Sequence, residues 1–357
     1  MASNRKRQQS ALISNIIFSI ITLFSLTVSI VLLLMNYSMR SKMSMVQKEN
    51  KELSDYANTH VYTQEDIDKR EEIVREEENN NERNVLLSEI KDTMDNGYSA
   101  YYLLRSLFPD DVVILSESGY DFIPITDDIR KNSYFLDNFI QDEETLDITY
   151  VDDNENVLSK KGIDVSSFNG DIDWKKVSKT DVEFAIIRAG LRGSTEGKIS
   201  LDNNFEKNMN GALDNGIPVG VYFFTQAVNT DEAVEEAKFL LEAISDFDVD
   251  YPVVLDVEKL KGRTDNMSVE ERTDCAIAFL DEIEKSGYKT MIYGNLNTLF
   301  MMLDLKRLEK YDKWFAYYIY PVYYPYEFTI WQYTDKGKID GIQGDVDINI
   351  CLEDYVK

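Results

Sequence analysis

The last 195 or so residues of this chain predict an α/β barrel, and three observations carry the prediction. Eight short apolar runs follow one another between Gly162 and Cys351, amphipathic helical segments separate the first several, and carboxylates recur at the run ends. Strands that alternate with helices are buried on both faces, so they read as near-continuous apolar runs rather than as alternating patterns.

The elements before the barrel are of other kinds. Gln8 to Met39 carry no charge, and Ala11–Met35 is a stretch of 25 residues dominated by Leu, Ile, Val, Phe and Ser. That exceeds the roughly 20 residues needed to cross a bilayer core. It is too long for a cleaved signal peptide and no small-x-small site follows it. A transmembrane helix over 11–35 is therefore expected. Arg5, Lys6 and Arg7 precede it in a basic tail (1–10), against Arg40 and Lys42 after it, which leans the N-terminus inside. Residues 41–84 form an acidic stalk. Val46, Leu53, Ile67 and Val74 share a heptad phase that His60 and Asn81 break. The pattern fits a solvated helix or a weak coiled coil through which chains could self-associate, with disorder as the competing reading. Residues 85–155 suggest a small α+β spacer module. It holds a helix closed by Gly97, a second helix ending before Pro109, and the strand-like runs VVILSES and YDFIPIT around a Ser-Gly turn. No chemistry is evident in it.

In the barrel region, 160–357, the runs are GIDVSSF, FAIIRAG, PVGVYFFT, YPVVLDVE, KTMIYGN, KWFAYYI, FTIWQYT and VDINIC. NNFEKNMNGALDNG reads as a helix stopped by Gly216, and TDEAVEEAKFLLEAIS as one with Thr230 as N-cap. SVEERTDCAIAFLDEIEKSG opens with a capping box from Ser268 to Glu271. The later runs follow one another without full helices.

Composition narrows the chemistry. Residues 1–40 carry +4, residues 41–159 carry −18 and residues 160–357 carry −13 of the net −27. Such acidity excludes nucleic acid as a natural partner, because phosphate binding needs clustered Lys and Arg. One histidine, His60, and two cysteines, Cys275 and Cys351, cannot supply a Cys/His metal site, and His60 is remote from every candidate acid. No metal and no cofactor are expected. What remains is carboxylate and tyrosine. Whether the two cysteines pair is open at this stage.

In YPVVLDVE, Asp256 and Glu258 are two residues apart at a strand end, so both face the same side. Asp164 ends the first run and Asp347 lies in the last. Polar residues at the C-terminal ends of barrel strands are the usual site of chemistry. Phe168, Tyr222, Phe224, Tyr293, Trp331 and Tyr333 fall at comparable places, and rings interleaved with acids suit sugar binding. Each has a plainer reading: Trp331 or Tyr222 as core, Asp345 and Asp347 as turn caps after Gly344, and Arg188 as the buried partner of one of these acids.

The segment from about Gly162 to Val356 resembles glycoside hydrolase family 25, the Chalaropsis-type lysozymes or N-acetylmuramidases. GIDVSSFNGDIDW, FAIIRAG, GIPVGVYFFTQA, YPVVLDVE, MIYGN and WQYTDKGKIDGIQGDVDIN carry the resemblance in the family's order. It implies a modified barrel of five β/α units and three further strands, and cleavage of the β-1,4 bond between N-acetylmuramic acid and N-acetylglucosamine in peptidoglycan. By position, Glu258 corresponds to the general acid, Asp256 to its strand partner, and Asp164 and Asp347 to two further acids. Asn169 stands where the family often has Gln, and Phe223 where it often has His, which touches substrate contacts more than catalysis. Asp256 could stabilise charge, orient the 2-acetamido group, attack C1 or activate water. A glycan-binding barrel without activity and a chitinase-like N-acetylglucosaminidase are the rival readings. Peptidoglycan as substrate places the barrel outside the cell membrane.

Overall fold

All eight apolar runs form strands of one closed sheet. The computed structural model describes residues 2–59, 63–95, 100–116 and 119–356; His60, Gly97 and Ser118 of the expected Ser-Gly turn lie outside the described residues. Two compact units are present, residues 1–92 and 93–357.

In the first unit, helix α1 (Ala2–Thr59) contains the apolar run, and the stretch Phe18–Tyr56 is long and apolar enough to cross a membrane. Helix α2 (Gln64–Asp95) starts under a reciprocal cap in which Thr63 and Asp66 exchange hydrogen bonds. It continues without a break past residue 85, so the later part of the stalk and the first helix expected of the module are one element. Nothing in NNNERN interrupts it, since those residues are weak helix formers but not breakers.

The second unit opens with α3 (Ala100–Leu107) and the hairpin of β1 (Asp111–Ser116) and β2 (Gly119–Pro124). A smaller pair, β3 (Phe139–Gln141) and β4 (Ile148–Tyr150), leads into the barrel. The barrel strands are β5 (Lys160–Val165), β6 (Phe184–Arg192), β8 (Val219–Phe224), β9 (Val253–Asp256), β10 (Thr290–Asn295), β11 (Asp312–Ala316), β12 (Ile330–Gly337) and β13 (Val346–Cys351), with the short β7 (Ile199–Leu201) paired onto β6. Neighbours run in parallel from β5 to β6 and onward to β12, while β13 is antiparallel to both β12 and β5 and closes the ring. Five connections carry helix: α4 (Trp174–Val177), α5 (Phe205–Asp214), α6 (Thr230–Ala243), α7 (Val269–Lys285) and a π-helical turn at Thr298–Met302. The last three strands follow without one, as expected.

Local chemistry sets the helix ends. α7 has its capping box from Ser268 to Glu271. α5 is followed by Gly216 at φ +74°, a left-handed conformation that glycine adopts without strain. The cap of α6 is Asn229 rather than Thr230; its side chain accepts from the Glu232 amide, because the residue with extended backbone is one earlier.

Two apolar layers result. The larger lies between sheet and helices, around residues such as Phe223, Phe279, Leu280 and Trp331. The smaller fills the barrel interior with Phe184, Ile186, Tyr251, Val254, Met291, Trp314 and Ile330. Phe184 and Tyr251 stack at 4.5 Å, and Phe184 lies so close over Gly162 that a Cβ there would be 2.2 Å from its ring. The interior is therefore a plug, and only its upper end is polar. Cys275 and Cys351 are both buried and unpaired.

Candidate active site

The polar end of the plug is a cleft of about 690 Å³, lined among others by Asp164, Asp256, Glu258, Asp347, Arg188 and Tyr293. Three of the acids get there by ordinary barrel geometry. Asp164 is near the C-terminal end of β5, Asp256 ends β9 and Glu258 follows it. Asp347 is near the start of its strand, not the end. It joins the others because β13 runs the opposite way, which sets it directly beside Asp164 in the ladder.

The four acids differ in surroundings. Asp164 and Asp256 are buried, whereas Glu258 stands exposed at the mouth. Asp164 Oδ2 accepts from Gln332 Nε2 at 2.8 Å and from Asn349 Nδ2 at 2.9 Å. Burial first, and the charge of Asp347 second, nevertheless push its carboxyl up to about 8. Burial raises Asp347 to about 6, with Asp335 adding to it and Lys336 opposing. Asp256 is pushed well above the carboxylate range by burial and then by Glu258 and Asp164. Its Oδ1 has no hydrogen-bond partner among the described residues. Glu258 is raised as well, by desolvation where it meets the cleft. Both carboxyls are raised, so the first proton taken up belongs to the Asp256–Glu258 pair rather than to either acid alone.

A hydrogen-bonded frame surrounds the acids, and most of it was not singled out from sequence. Gln332 Oε1 accepts from the hydroxyls of Tyr293 at 2.9 Å and Tyr318 at 2.7 Å, while its amide holds Asp164. Trp314 Nε1 donates to Asn349 Oδ1 at 2.7 Å, and Asn349 in turn donates to Asp164. Arg188 lines the cleft but pairs with none of the four acids. Its Nε and NH2 reach Asp202 Oδ2 at 2.8 and 2.6 Å, beside Ser167. Burial would raise Asp202, but the amides of Asn204 and Ser167 together with the guanidinium hold its carboxyl below the usual range. Asp202 follows β7, so only the fold brings it to Arg188.

The aromatic residues divide. Phe168, Tyr222, Phe224 and Tyr293 line the cleft, and the Arg188 guanidinium sits 4.7 Å from the centre of the Phe168 ring. Trp331 and Tyr333 do not. They flank Gln332 on β12, so they point to the opposite face of the sheet. There Trp331 is fully buried with Nε1 donating to Tyr317 O, and the Tyr333 hydroxyl donates to Asp147. Phe223 likewise packs against Phe239 and Phe279 outside the barrel, so its difference from His alters no cleft contact. Asn169 lines the cleft, its Oδ1 accepting from the Ser166 amide. Among the described residues no cluster of His, Cys, Asp and Glu is arranged to hold a metal ion.

Similarity to known proteins falls on the barrel that holds these acids. The family model for glycosyl hydrolases family 25 matches residues 163–342. The uncharacterized protein YegX of Escherichia coli K12 is 33% identical over 199 residues, covering 53% of this chain and 68% of that one. An autolytic lysozyme of Clostridium acetobutylicum is 26% identical over 197 residues, covering 53% of this chain and 55% of the relative. Among solved structures, the modular autolysin LytC of Streptococcus pneumoniae aligns with a TM-score of 0.50 at 25% identity, covering 67% of this chain and 60% of that one. The chain thus spans 68%, 55% and 60% of the lengths of these three proteins. With its family match running through the barrel from residue 163 to residue 342, this chain belongs to glycosyl hydrolases family 25.

Proposed function

We propose that this chain is a membrane-anchored peptidoglycan hydrolase that cleaves the β-1,4 bond between N-acetylmuramic acid and N-acetylglucosamine. One observation carries the reading furthest: a buried carboxylate oxygen, Asp256 Oδ1, has no protein donor and lies in a cleft shared with the exposed acid Glu258. An orphaned buried acceptor asks for a donor from outside. The N–H of a sugar's 2-acetamido group is a donor of that kind. Its hydrogen bond would favour ionised Asp256 and leave the shared proton to Glu258, which a bound sugar would further desolvate. Glu258 then protonates the leaving oxygen, while Asp256 orients the acetamido group or stabilises positive charge developing at C1. Asp164 and Asp347 complete the acidic wall, and the hydroxyls of Tyr293 and Tyr318 stay protonated because burial raises them far above neutral pH. The relatives named as lysozymes and autolysin support peptidoglycan as the substrate.

Residues 11–35 serve as the anchor, the basic tail stays inside, and the barrel acts on the wall side. The test is digestion of purified peptidoglycan by the full chain in detergent, with identification of the sugar at the new reducing ends. N-acetylmuramic acid is expected there, and N-acetylglucosamine would instead mark an N-acetylglucosaminidase. Glu258→Gln should lower turnover at least about a hundredfold, the usual worth of a general acid. Release of muropeptides by that variant at the parental rate would remove Glu258 from the role.

A further inference from the structure

The segment before the barrel, residues 100–158, belongs to the same compact unit as the barrel, and it grips one connection of the catalytic cleft. That connection joins β11 to β12, residues 317–329, and contains neither helix nor regular strand. Long structureless loops in compact domains are uncommon unless they have a function or a partner. Here the partner is visible along its length. Tyr102 donates to Tyr320 O, the Tyr323 hydroxyl accepts from the Val113 amide, the Tyr326 hydroxyl accepts from the Thr126 amide, and Asn132 Nδ2 donates to Tyr324 O at 2.8 Å. Tyr320 in turn donates to Phe139 O at 2.7 Å.

Arg105 of α3 is the strongest of these grips. Its guanidinium lies 3.5 Å from the ring centre of Tyr323 and 3.9 Å from that of Tyr101, and NH1 donates to the Tyr317 hydroxyl at 2.6 Å. Nε and NH2 are buried without hydrogen-bond partners, so ring faces take the place of acceptors. The next residue in the loop, Tyr318, is part of the cleft and donates to Gln332, which donates to Asp164. The Tyr317 backbone is fixed on both sides, its amide donating to Gln332 O and its carbonyl accepting from Trp331.

We propose that Arg105 is a positioning residue for the cleft: by clamping Tyr317 it sets where Tyr318 meets Gln332, and so the frame that holds Asp164. The α+β segment is then a working part of the hydrolase rather than a spacer. This rests on the hydrolase reading for its kinetic arm only. Displacements of about 1 Å in a catalytic frame can cost on the order of a hundredfold, so a partly loosened loop should cost about tenfold.

The experiment uses the full chain in detergent, with purified peptidoglycan as substrate, and compares Arg105→Ala, Tyr318→Phe and the double variant. Arg105→Ala should lower kcat about tenfold with KM within about twofold, and the double variant should be no worse than the poorer single one, as for residues acting in series. Losses that multiply, or an unchanged kcat in a folded Arg105→Ala, overturn the proposal. Should Arg105→Ala fail to fold, Tyr317→Phe removes only the clamped hydroxyl and takes its place in the cycle. Hydrogen exchange over residues 317–329 supplies a readout free of activity. Faster exchange there, with β5 to β10 unchanged, supports the clamp even if the parent chain releases no sugar, an outcome that would sink only the hydrolase reading. Unchanged exchange overturns the clamp.

Discussion

Two buried carboxylates in this barrel, Glu236 and Asp256, meet the same desolvation and resolve it differently. Glu236 on α6 is fully buried, and its oxygens accept from Arg192 Nε at 2.7 Å and Thr225 Oγ1 at 2.6 Å. Arg192 is itself held by Glu235, Gly197 O and Glu232 O. Asp256 is buried too, but its neighbours are Glu258 and Asp164, and one of its oxygens is bare. A structural charge is surrounded by donors within the fold; a buried carboxylate left short of them is a candidate for chemistry. Burial raises Glu236 only to about 7 against the pull of its donors, while Asp256, with acids for company, goes further.

The sharpest way to break this contrast is to exchange the consequences. Asp256→Asn should cost about a hundredfold or more in turnover, as loss of a preorganised charge does, with a melting temperature unchanged or raised, because an amide suits that site better than a carboxylate without donors. Glu236→Leu should do the opposite. It leaves the Arg192 guanidinium short of a buried partner and should destabilise by about 3 kcal/mol, while kcat of the folded fraction stays close to the parent's. Thermal melts and initial rates on the same preparations decide it. If Asp256→Asn melts far below the parent, Asp256 is structural after all.

A smaller effect lies in pH. In the fold, burial pushes Asp347 up to about 6, and burial with the charge of Asp347 pushes Asp164 up to about 8, against about 3.9 in an unfolded chain. Between those values the folded protein holds more protons than the unfolded one, so stability falls as pH rises. The melting temperature should therefore drop between about pH 5 and pH 8, and Asp164→Asn should flatten the slope. A parent chain equally stable across that window would mean the acids are better paired than their geometry indicates.

Why the strands were legible and the frame around the acids was not follows from burial. FAIIRAG and YPVVLDVE are apolar on both faces, so the sequence marks them as strands but does not mark which residues face inward. That is how Trp331 and Tyr333 came to be expected in the cleft while Gln332 between them went unnoticed. The direction of β13 is equally silent in VDINIC, yet it decides that Asp347 joins Asp164. Arg188 reads as a buried cation, but its partner, expected among the cleft acids, is Asp202 instead. Its partner Asp202 comes from a hairpin with no apolar run to mark it. The unbroken α2 was missed because the change of composition near residue 85 is one of polarity, and polarity does not end a helix.

The rim of the cleft gives the mildest contrast with its floor. Trp314, at the floor, is 1% exposed and tied to Asn349, whereas Phe168, at the lip, is 88% exposed and packs against the Arg188 guanidinium. An apolar ring so exposed contributes little to folding, since little of its area leaves water. Over a cation it presents a face on which a sugar ring can stack. Phe168→Ala should leave the melting temperature within about 1 °C of the parent, and should raise KM for peptidoglycan by about three- to tenfold with kcat unchanged, a loss of roughly 1 kcal/mol of uniform binding. Phe168→Tyr keeps the ring and should restore the parent KM. A fall in kcat instead would place Phe168 among the groups that shape the transition state rather than at its entrance.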